Sequence, residues 1–276
     1  MTDTRAALRE AAARFAFSDT PRLDAELLLA HALGITRERL LLTPGDHLVP
    51  PAFAALVERR AAHEPVAYIT GIRAFWTIDL LVGPGALVPR ADSETLIEAA
   101  VAHFSGGEGP RRVLDLGTGP GTLLFAALAE WPRATGLGVD ASEAALDWAR
   151  RNAAALDMDG RVVLRRGDWG AGIAGAFDLV LANPPYIATD AELPREVRAH
   201  EPASALFAGA DGLDDYRVIA RQLPALLAPE GVACIEIGWD QHESAAALFR
   251  GSGLAVAVRH DLAGHPRCLV ATHPAG

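Results

Sequence analysis

The sequence predicts an α/β fold: a mostly parallel sheet of seven strands with flanking helices, preceded by a small N-terminal helical bundle and a β-hairpin linker. Three observations carry this expectation. Residues 1–72 hold apolar stripes at helical spacing and no strand-like run. Residues 73–90 become β-rich around Gly83-Pro84-Gly85. From about Ser93 onward, apolar runs of strand length alternate with helical segments, the pattern of a largely parallel sheet. The expected division is 1–72 for the bundle, 73–90 for the linker and 91–276 for the α/β domain.

Within the bundle, Thr4 to Ala16 is alanine-rich with its charges on one side, so it reads as a helix. Asp24 to Leu33 carries Leu27-Leu28-Leu29 and stops at Gly34, which suits a left-handed C-cap. Thr36 is placed to cap a short helix through Leu42, and Pro51 to open another that ends near Ala62. In the linker, Phe75 to Val82 forms one strand, Gly83-Pro84-Gly85 the turn, and Ala86-Leu87-Val88 the return. Further on, strands are expected at Val113–Leu116, Thr135–Val139, Val162–Arg165, Phe177–Ala182, Val232–Ile237, Ala255–Val258 and Cys268–Thr272. Ser142 can cap a helix with Leu146, Ala149, Ala153 and Leu156 on one face and an Asp147–Arg151 pair on the other. Helices are also expected near Asp214–Leu227 and Gln241–Phe249. The last two strands have no long helix between them, so they suit an antiparallel closure of the sheet.

The bulk properties exclude several classes. A net charge of −10 argues against a general nucleic-acid binder, and the arginine pairs 111–112, 150–151 and 165–166 read as solvated surface. Cys234 and Cys268 lie in apolar runs, so they read as small buried hydrophobes and not as a disulfide or metal site. Nine histidines show no ligand spacing, and no metal is expected. No run approaches the ~18 apolar residues of a membrane span. A cytoplasmic monomer is the expectation.

Two motifs carry chemistry. The first is Val113-Leu114-Asp115-Leu116-Gly117-Thr118-Gly119-Pro120-Gly121, a hydrophobic strand entering a glycine-rich turn, followed by the helical run Thr122–Leu128. Its glycines permit positive φ and close approach of a ligand to the backbone. Asp140 ends the next strand, at the spacing where an open α/β sheet sets a carboxylate on a ribose. A dinucleotide fingerprint wants its third small residue one position later, where Thr122 stands, so the turn fits G-x-G-x-G cofactor turns better. The second motif, Asn183-Pro184-Pro185-Tyr186, closes the strand Phe177–Ala182. Two prolines fix two φ angles, remove two donors and push Asn183 toward an extended conformation. The corner thus offers carbonyl acceptors, one side-chain amide and a flat ring, suited to holding a planar NH2 group.

In their order and spacing, these motifs resemble the class I S-adenosylmethionine (SAM)-dependent methyltransferases that act on amino or amide nitrogens. Gly167-Asp168-Trp169 lies between them as in that class. Glu64 to Gly71, Phe75-Trp76, Gly83 to Arg90, Glu201-Pro202, Asp211-Gly212-Leu213-Asp214, Glu236-Ile237-Gly238 and Asp261 to Gly264 narrow the resemblance to the release factor glutamine methyltransferases. It runs from about Glu64 to the C-terminus. Two departures stand out: Ala91-Asp92-Ser93-Glu94 follows Pro-Arg where the family often has Pro-x-Thr-Glu, and Pro120 replaces a common Ser or Thr.

The resemblance implies SAM as cofactor, leaving as S-adenosyl-L-homocysteine, and a class I methyltransferase, Rossmann-like sheet. It places Gly117, Thr118, Gly119, Pro120 and Gly121 on the cofactor, Asp140 on its ribose, and Asp168 and Trp169 on its adenine. Asn183, Pro184 and Tyr186 would be catalytic, and Pro185 and Arg90 would complete the substrate contacts, with Asn183 also touching the cofactor. The substrate implied is the glutamine of the Gly-Gly-Gln loop in bacterial class-one peptide chain release factors, with the bundle docking the factor. Duller readings stand beside these: Asp140 as a helix cap, Asp168 and Trp169 as a loop acid and a core indole, Arg90 and Glu94 as a surface pair. Glu236 could be a base or a structural acceptor, and Glu201, Asp211, Asp214 and Asp215 a solvated acidic cluster. Competing functions are a glutamine methyltransferase for a large-subunit ribosomal protein, an adenine-amino DNA methyltransferase, and a non-catalytic SAM-binding module.

Overall fold

In the computed structural model, residues 3–43 and 47–274 are described. Residues 1–2, 44–46 and 275–276, which fall inside the expected spans 1–72 and 91–276, lie outside that description. The described chain divides into two compact units, one running to Ile72 and taking in Pro194–His200, the other comprising Arg73–Leu193 and the chain from Glu201.

The first unit is built from short helices: α1 (Thr4–Arg14), α2 (Pro21–Leu33), α3 (Arg37–Leu42), α4 (Ala52–Ala61) and α5 (Val66–Thr70). Several of their ends carry a breaker or cap that the sequence offers. Asp3 caps α1, the Thr36 hydroxyl accepts from Arg39 N at the start of α3, and Gly34 ends α2 at φ 66°. Leu8, Phe15, Leu28, Leu29, Leu40 and Phe53 meet in its core. One buried cation crosses the unit: Arg60 Nε donates to Asp24 Oδ2 at 2.9 Å and its NH1 to Glu196 Oε2 at 2.7 Å. Glu196 belongs to a later helix, Arg195–His200, so a linear reading of the domains misses one excursion of the chain.

The second unit opens on the linker. Strands β1 (Ile72–Phe75) and β2 (Ile78–Leu81) form a two-stranded sheet. The hairpin exists, but its turn is Trp76-Thr77 and not Gly83-Pro84-Gly85, and residues 86–88 form no strand. Trp76 takes φ 53°, and its N–H is held by Glu94 Oε1 at 2.8 Å, which fixes the turn early. The chain beyond β2 is pinned instead: a Cβ on Gly83 would lie 2.5 Å from the Trp148 ring, and Trp148 Nε1 donates to the Pro84 carbonyl.

The α/β part then follows as α6 (Glu94–His103), β3 (Arg112–Leu116), α7 (Thr122–Glu130), β4 (Thr135–Asp140), α8 (Glu143–Ala155), β5 (Val162–Arg166) and β6 (Phe177–Ala182). After the α9 helix, Arg195–His200, come α10 (Asp214–Leu226), β7 (Leu227–Glu236), α11 (His242–Gly251), β8 (Ala255–His260) and β9 (Pro266–Thr272). The seven strands β3–β9 run in the order β5-β4-β3-β6-β7-β9-β8, with β9 antiparallel to both neighbours. The expected antiparallel closure is present. Strands buried on both faces explain the near-continuous apolar runs at Val113–Leu116 and Phe177–Ala182. On α8 the ion pairs run from Arg150 to Asp147 and Glu143, because Arg151 stacks 4.7 Å from the Trp148 ring; the Asp147–Arg151 pair is not formed. Both cysteines are buried thiols without a disulfide. Among the described residues, no helix is long and apolar enough to cross a membrane.

Candidate active site

Register explains why the two motifs meet. Leu116 pairs with Val139 on one side and Ala182 on the other, and Ala182 pairs in turn with Ile235. Gly117, Asp140, Asn183 and Glu236 are each one residue further on, so all four sit at one level at the C-terminal ends of adjacent parallel strands. The strand order turns outward from β3 and β6, and ligands of open α/β sheets bind in the crevice at such a point. A cavity of about 490 Å3 lies there, within the usual range for small-molecule sites. Gly117, Thr118, Gly119, Pro120, Asp140, Asp168, Trp169, Asn183, Pro185 and Arg90 all line it. Gly121, Pro184 and Tyr186 are not on its wall.

The turn requires glycine for two different reasons. A Cβ on Gly121 would fall 2.0 Å from the Phe125 ring at φ 87°, so this residue shapes the start of α7. Gly119, at φ 57°, meets nothing within 4 Å, which leaves open space against the backbone for a ligand. Asp140 braces the turn: Oδ2 accepts from Gly119 N at 2.8 Å and Oδ1 from Ser142 N at 2.8 Å. Asp140 thus ties the glycine turn to the residue before α8, but the cap of α8 is Ser142, whose Oγ accepts from Ala145 N, and not Asp140.

Two residues that the motif reading left without a role complete the turn, and a third joins the cavity wall. Asn152, fully buried on α8, donates Nδ2 to the Pro120 and Leu81 carbonyls at 2.9 and 3.0 Å, and its Oδ1 accepts from Leu81 N at 2.7 Å. The signal in the sequence was an amide on the same face as Ala149 and Ala153. Asp115, 1% exposed, accepts from the Thr118 hydroxyl through Oδ2, while Oδ1 has no hydrogen-bond partner among the described residues. Burial pushes its carboxyl up to about 7, against the pull of the Thr118 hydroxyl. Its signal was an acid between two leucines in a strand. Asp215 also lines the cavity, and desolvation raises it, opposed by a hydrogen bond from Trp169.

At the proline corner, Asn183 Nδ2 donates to Ser93 Oγ at 3.3 Å, and Ser93 Oγ donates to Glu236 Oε2 at 2.5 Å. The Tyr186 hydroxyl donates to Glu236 Oε1 at 3.3 Å, and the Tyr186 carbonyl accepts from Gln241 Nε2 at 2.9 Å. Glu236 is 2% exposed, and burial lifts its carboxyl to about 7 although Ser93, Arg267 and Tyr186 pull it down. Burial and the adjacent Glu236 charge raise Tyr186.

Arg90 and Glu94 do not pair. Arg90 NH2 reaches Glu201 Oε1 at 2.5 Å, and Glu94 serves the Trp76 amide. Glu201 is buried, so it leaves the acidic cluster that the sequence suggested, whereas Asp211 and Asp214 pair with Arg217 at the surface. The physical reason is the cation: Arg90 from one loop and the Val88 N–H supply what a buried carboxylate needs.

Two family models match the chain, the PrmC N-terminal domain over residues 6–71 and the methyltransferase small domain over 93–200. A release factor glutamine methyltransferase of Rhodospirillum rubrum is 46% identical over 260 residues, covering 92% of this chain and 79% of the relative. One from Cereibacter sphaeroides is 47% identical over 277 residues, covering 98% of each. The chain belongs to this family. As a family member it is a methyltransferase, and its mostly parallel seven-stranded sheet is the class I architecture expected. The solved ribosomal protein L11 methylase of Lactobacillus delbrueckii subsp. bulgaricus shares the fold, with a TM-score of 0.52 at 19% identity over 70% of this chain and 84% of that one.

Proposed function

We propose that this chain methylates the side-chain amide nitrogen of the glutamine in the Gly-Gly-Gln loop of class-one peptide chain release factors, with SAM as donor. The observation that carries the reading is the shared level of Gly117, Asp140 and Asn183 around one cavity.

The residues present fit the cofactor. Open space beside Gly119, a carboxylate at Asp140 and an uncommitted oxygen on buried Asp115 suit a nucleoside bearing a cationic tail. Gly117, Thr118, Gly119 and Pro120 would form its cradle with Gly121 shaping the turn behind them, Asp140 would take the ribose hydroxyls, and Asp168 and Trp169 the adenine edge and face. When bound, SAM supplies a methyl group already activated on a sulfonium. The chain's own residues orient the acceptor. An amide nitrogen has its lone pair delocalised, so two acceptors on its NH2 group turn it and favour positive charge on nitrogen. The Asn183 Oδ1 and the Pro184 carbonyl are the pair we assign, with Tyr186 for the amide plane, although Pro184 and Tyr186 lie off the cavity wall in this structure; Pro185 is on the wall and Arg90 at the rim. Proximity does the rest, and loss of the acidic proton from the methylated amide to water removes the need for a dedicated base.

Residues 1–72 are assigned to docking the factor, 73–90 to the linker and 91–276 to catalysis in a monomeric, cytoplasmic enzyme. Incubation with labelled SAM and either a release factor, a large-subunit ribosomal protein or DNA tests the reading. Label should enter the release factor at the Gly-Gly-Gln glutamine, located by mass spectrometry of its peptides; label confined to another substrate overturns it.

A further inference from the structure

We propose that Ser93 and Glu236 are positioning residues that fix which end of the Asn183 amide faces the cavity. The inference rests on the acceptor role assigned to Asn183 and adds the device that enforces it. An asparagine side chain is nearly symmetric in shape, and both of its orientations fill the same space. Only one of them presents oxygen to a substrate NH2 group; the other presents two N–H donors, which repel it.

The structure contains a chain of groups that breaks this symmetry. An ionised carboxylate can only accept hydrogen bonds. Glu236 Oε2 therefore accepts the hydrogen bond of the Ser93 hydroxyl, at 2.5 Å, which leaves the serine oxygen as the acceptor for its other neighbour. That neighbour is Asn183, which must offer Nδ2, as it does at 3.3 Å. With Nδ2 committed, Oδ1 is left for the substrate amide. The second carboxylate oxygen repeats the logic toward the Tyr186 hydroxyl, at 3.3 Å. Both Ser93 and Glu236 are 2% exposed, so bulk water does not compete for these bonds. Glu236 is not on the cavity wall and Ser93 is; both are assigned to act through Asn183.

Protonating Glu236 removes the directionality. A carboxylic acid can donate to Ser93, whose hydroxyl is then free to point at Asn183 and accommodate the reversed amide. The charged and titratable groups facing Glu236 come from every side: Asp92 beside Ser93, Tyr186 on the proline corner, Tyr216 from α10, and Arg267 and Cys268 from β9. Arg267 favours the charged carboxylate, and Asp92 and burial oppose it.

The test is steady-state methylation of a release factor by the full-length protein at saturating SAM across pH 6–9, for wild type, Ser93→Ala, Ser93→Thr and Glu236→Gln. Ser93→Ala should lower kcat roughly 10- to 100-fold while SAM affinity stays within about threefold. Ser93→Thr keeps the hydroxyl and should recover most of that loss. Wild-type kcat should rise with pH along a limb near neutrality, and Glu236→Gln, which cannot ionise, should abolish that limb. A Ser93→Ala enzyme with wild-type kcat, or an unchanged limb in Glu236→Gln, overturns the proposal. Failure of the wild-type protein to methylate the factor would instead remove the functional reading beneath it.

Discussion

Replacing Asp140 with asparagine changes one atom and tests what the carboxylate does. Each of its oxygens accepts one backbone N–H at 2.8 Å, from Gly119 and from Ser142. Asparagine retains one acceptor and turns the other position into an NH2 group facing a backbone donor. One charge-assisted bond, worth about 1.5–3 kcal/mol, is lost, and an N–H of the turn is left facing another donor. Taking about 2 kcal/mol as the share felt at the glycine turn, proposed above as the cofactor cradle, SAM affinity should fall roughly 30-fold. Asp140→Ala loses both bonds and the proposed ribose contact, so its fall should reach several hundred-fold. Isothermal titration with SAM at pH 8 reads the affinity, and thermal unfolding without ligand separates turn geometry from global stability. If Asp140→Asn binds SAM within two- to threefold of wild type, the acceptor pair is not what organises the turn.

Three further outcomes follow from the same geometry. Asn183→Ala should reduce kcat at least ~100-fold in single-turnover methylation while SAM affinity changes only a few-fold, because it removes the acceptor proposed for the substrate amide. Asn152→Ala leaves two carbonyls and one N–H unpaired beside a cavity, so urea unfolding should show a loss of about 3–5 kcal/mol; a loss under 1 kcal/mol would mean that the turn is held by other contacts. Asp115 has a carboxyl raised to about 7 in the fold, so the folded state binds its proton more tightly than the unfolded chain does. Its stabilising contribution is complete below the unfolded value near 4 and is lost as pH rises through 7. Asp115→Asn should therefore gain stability relative to wild type across that window, by roughly 2–3 kcal/mol between chemical unfolding at pH 5 and at pH 8. A pH-independent difference would show that Asp115 does not titrate there.

Much of the architecture was legible because local chemistry set it. Gly34 at the end of α2, Thr36 at the head of α3 and Ser142 at the head of α8 stand where the chain alone calls for a cap. The β-rich linker was legible as a strand pair but not in its turn. Gly83-Pro84-Gly85 satisfies every local preference for reversal, yet Glu94, eighteen residues downstream of Trp76, captures that tryptophan's amide first. The same limit applied at Arg151, where the helical spacing to Asp147 was right and an adjacent indole took the guanidinium.

By itself the sequence determined the periodicities, the glycines of the turn after β3, the stiffness of the proline corner and the membership of this chain in its family. These depend on backbone freedom and residue order, which are local. Only the tertiary structure decided which polar groups are buried together. Asn152 reaches Pro120 across thirty-two positions, Ser93 reaches Glu236 across 143, and Arg90 reaches Glu201 across 111. A hydrogen bond between distant residues leaves no period in the chain. It exists because parallel strands end at one level, and because a buried carboxylate or amide must find its partner there or pay the full cost of leaving water.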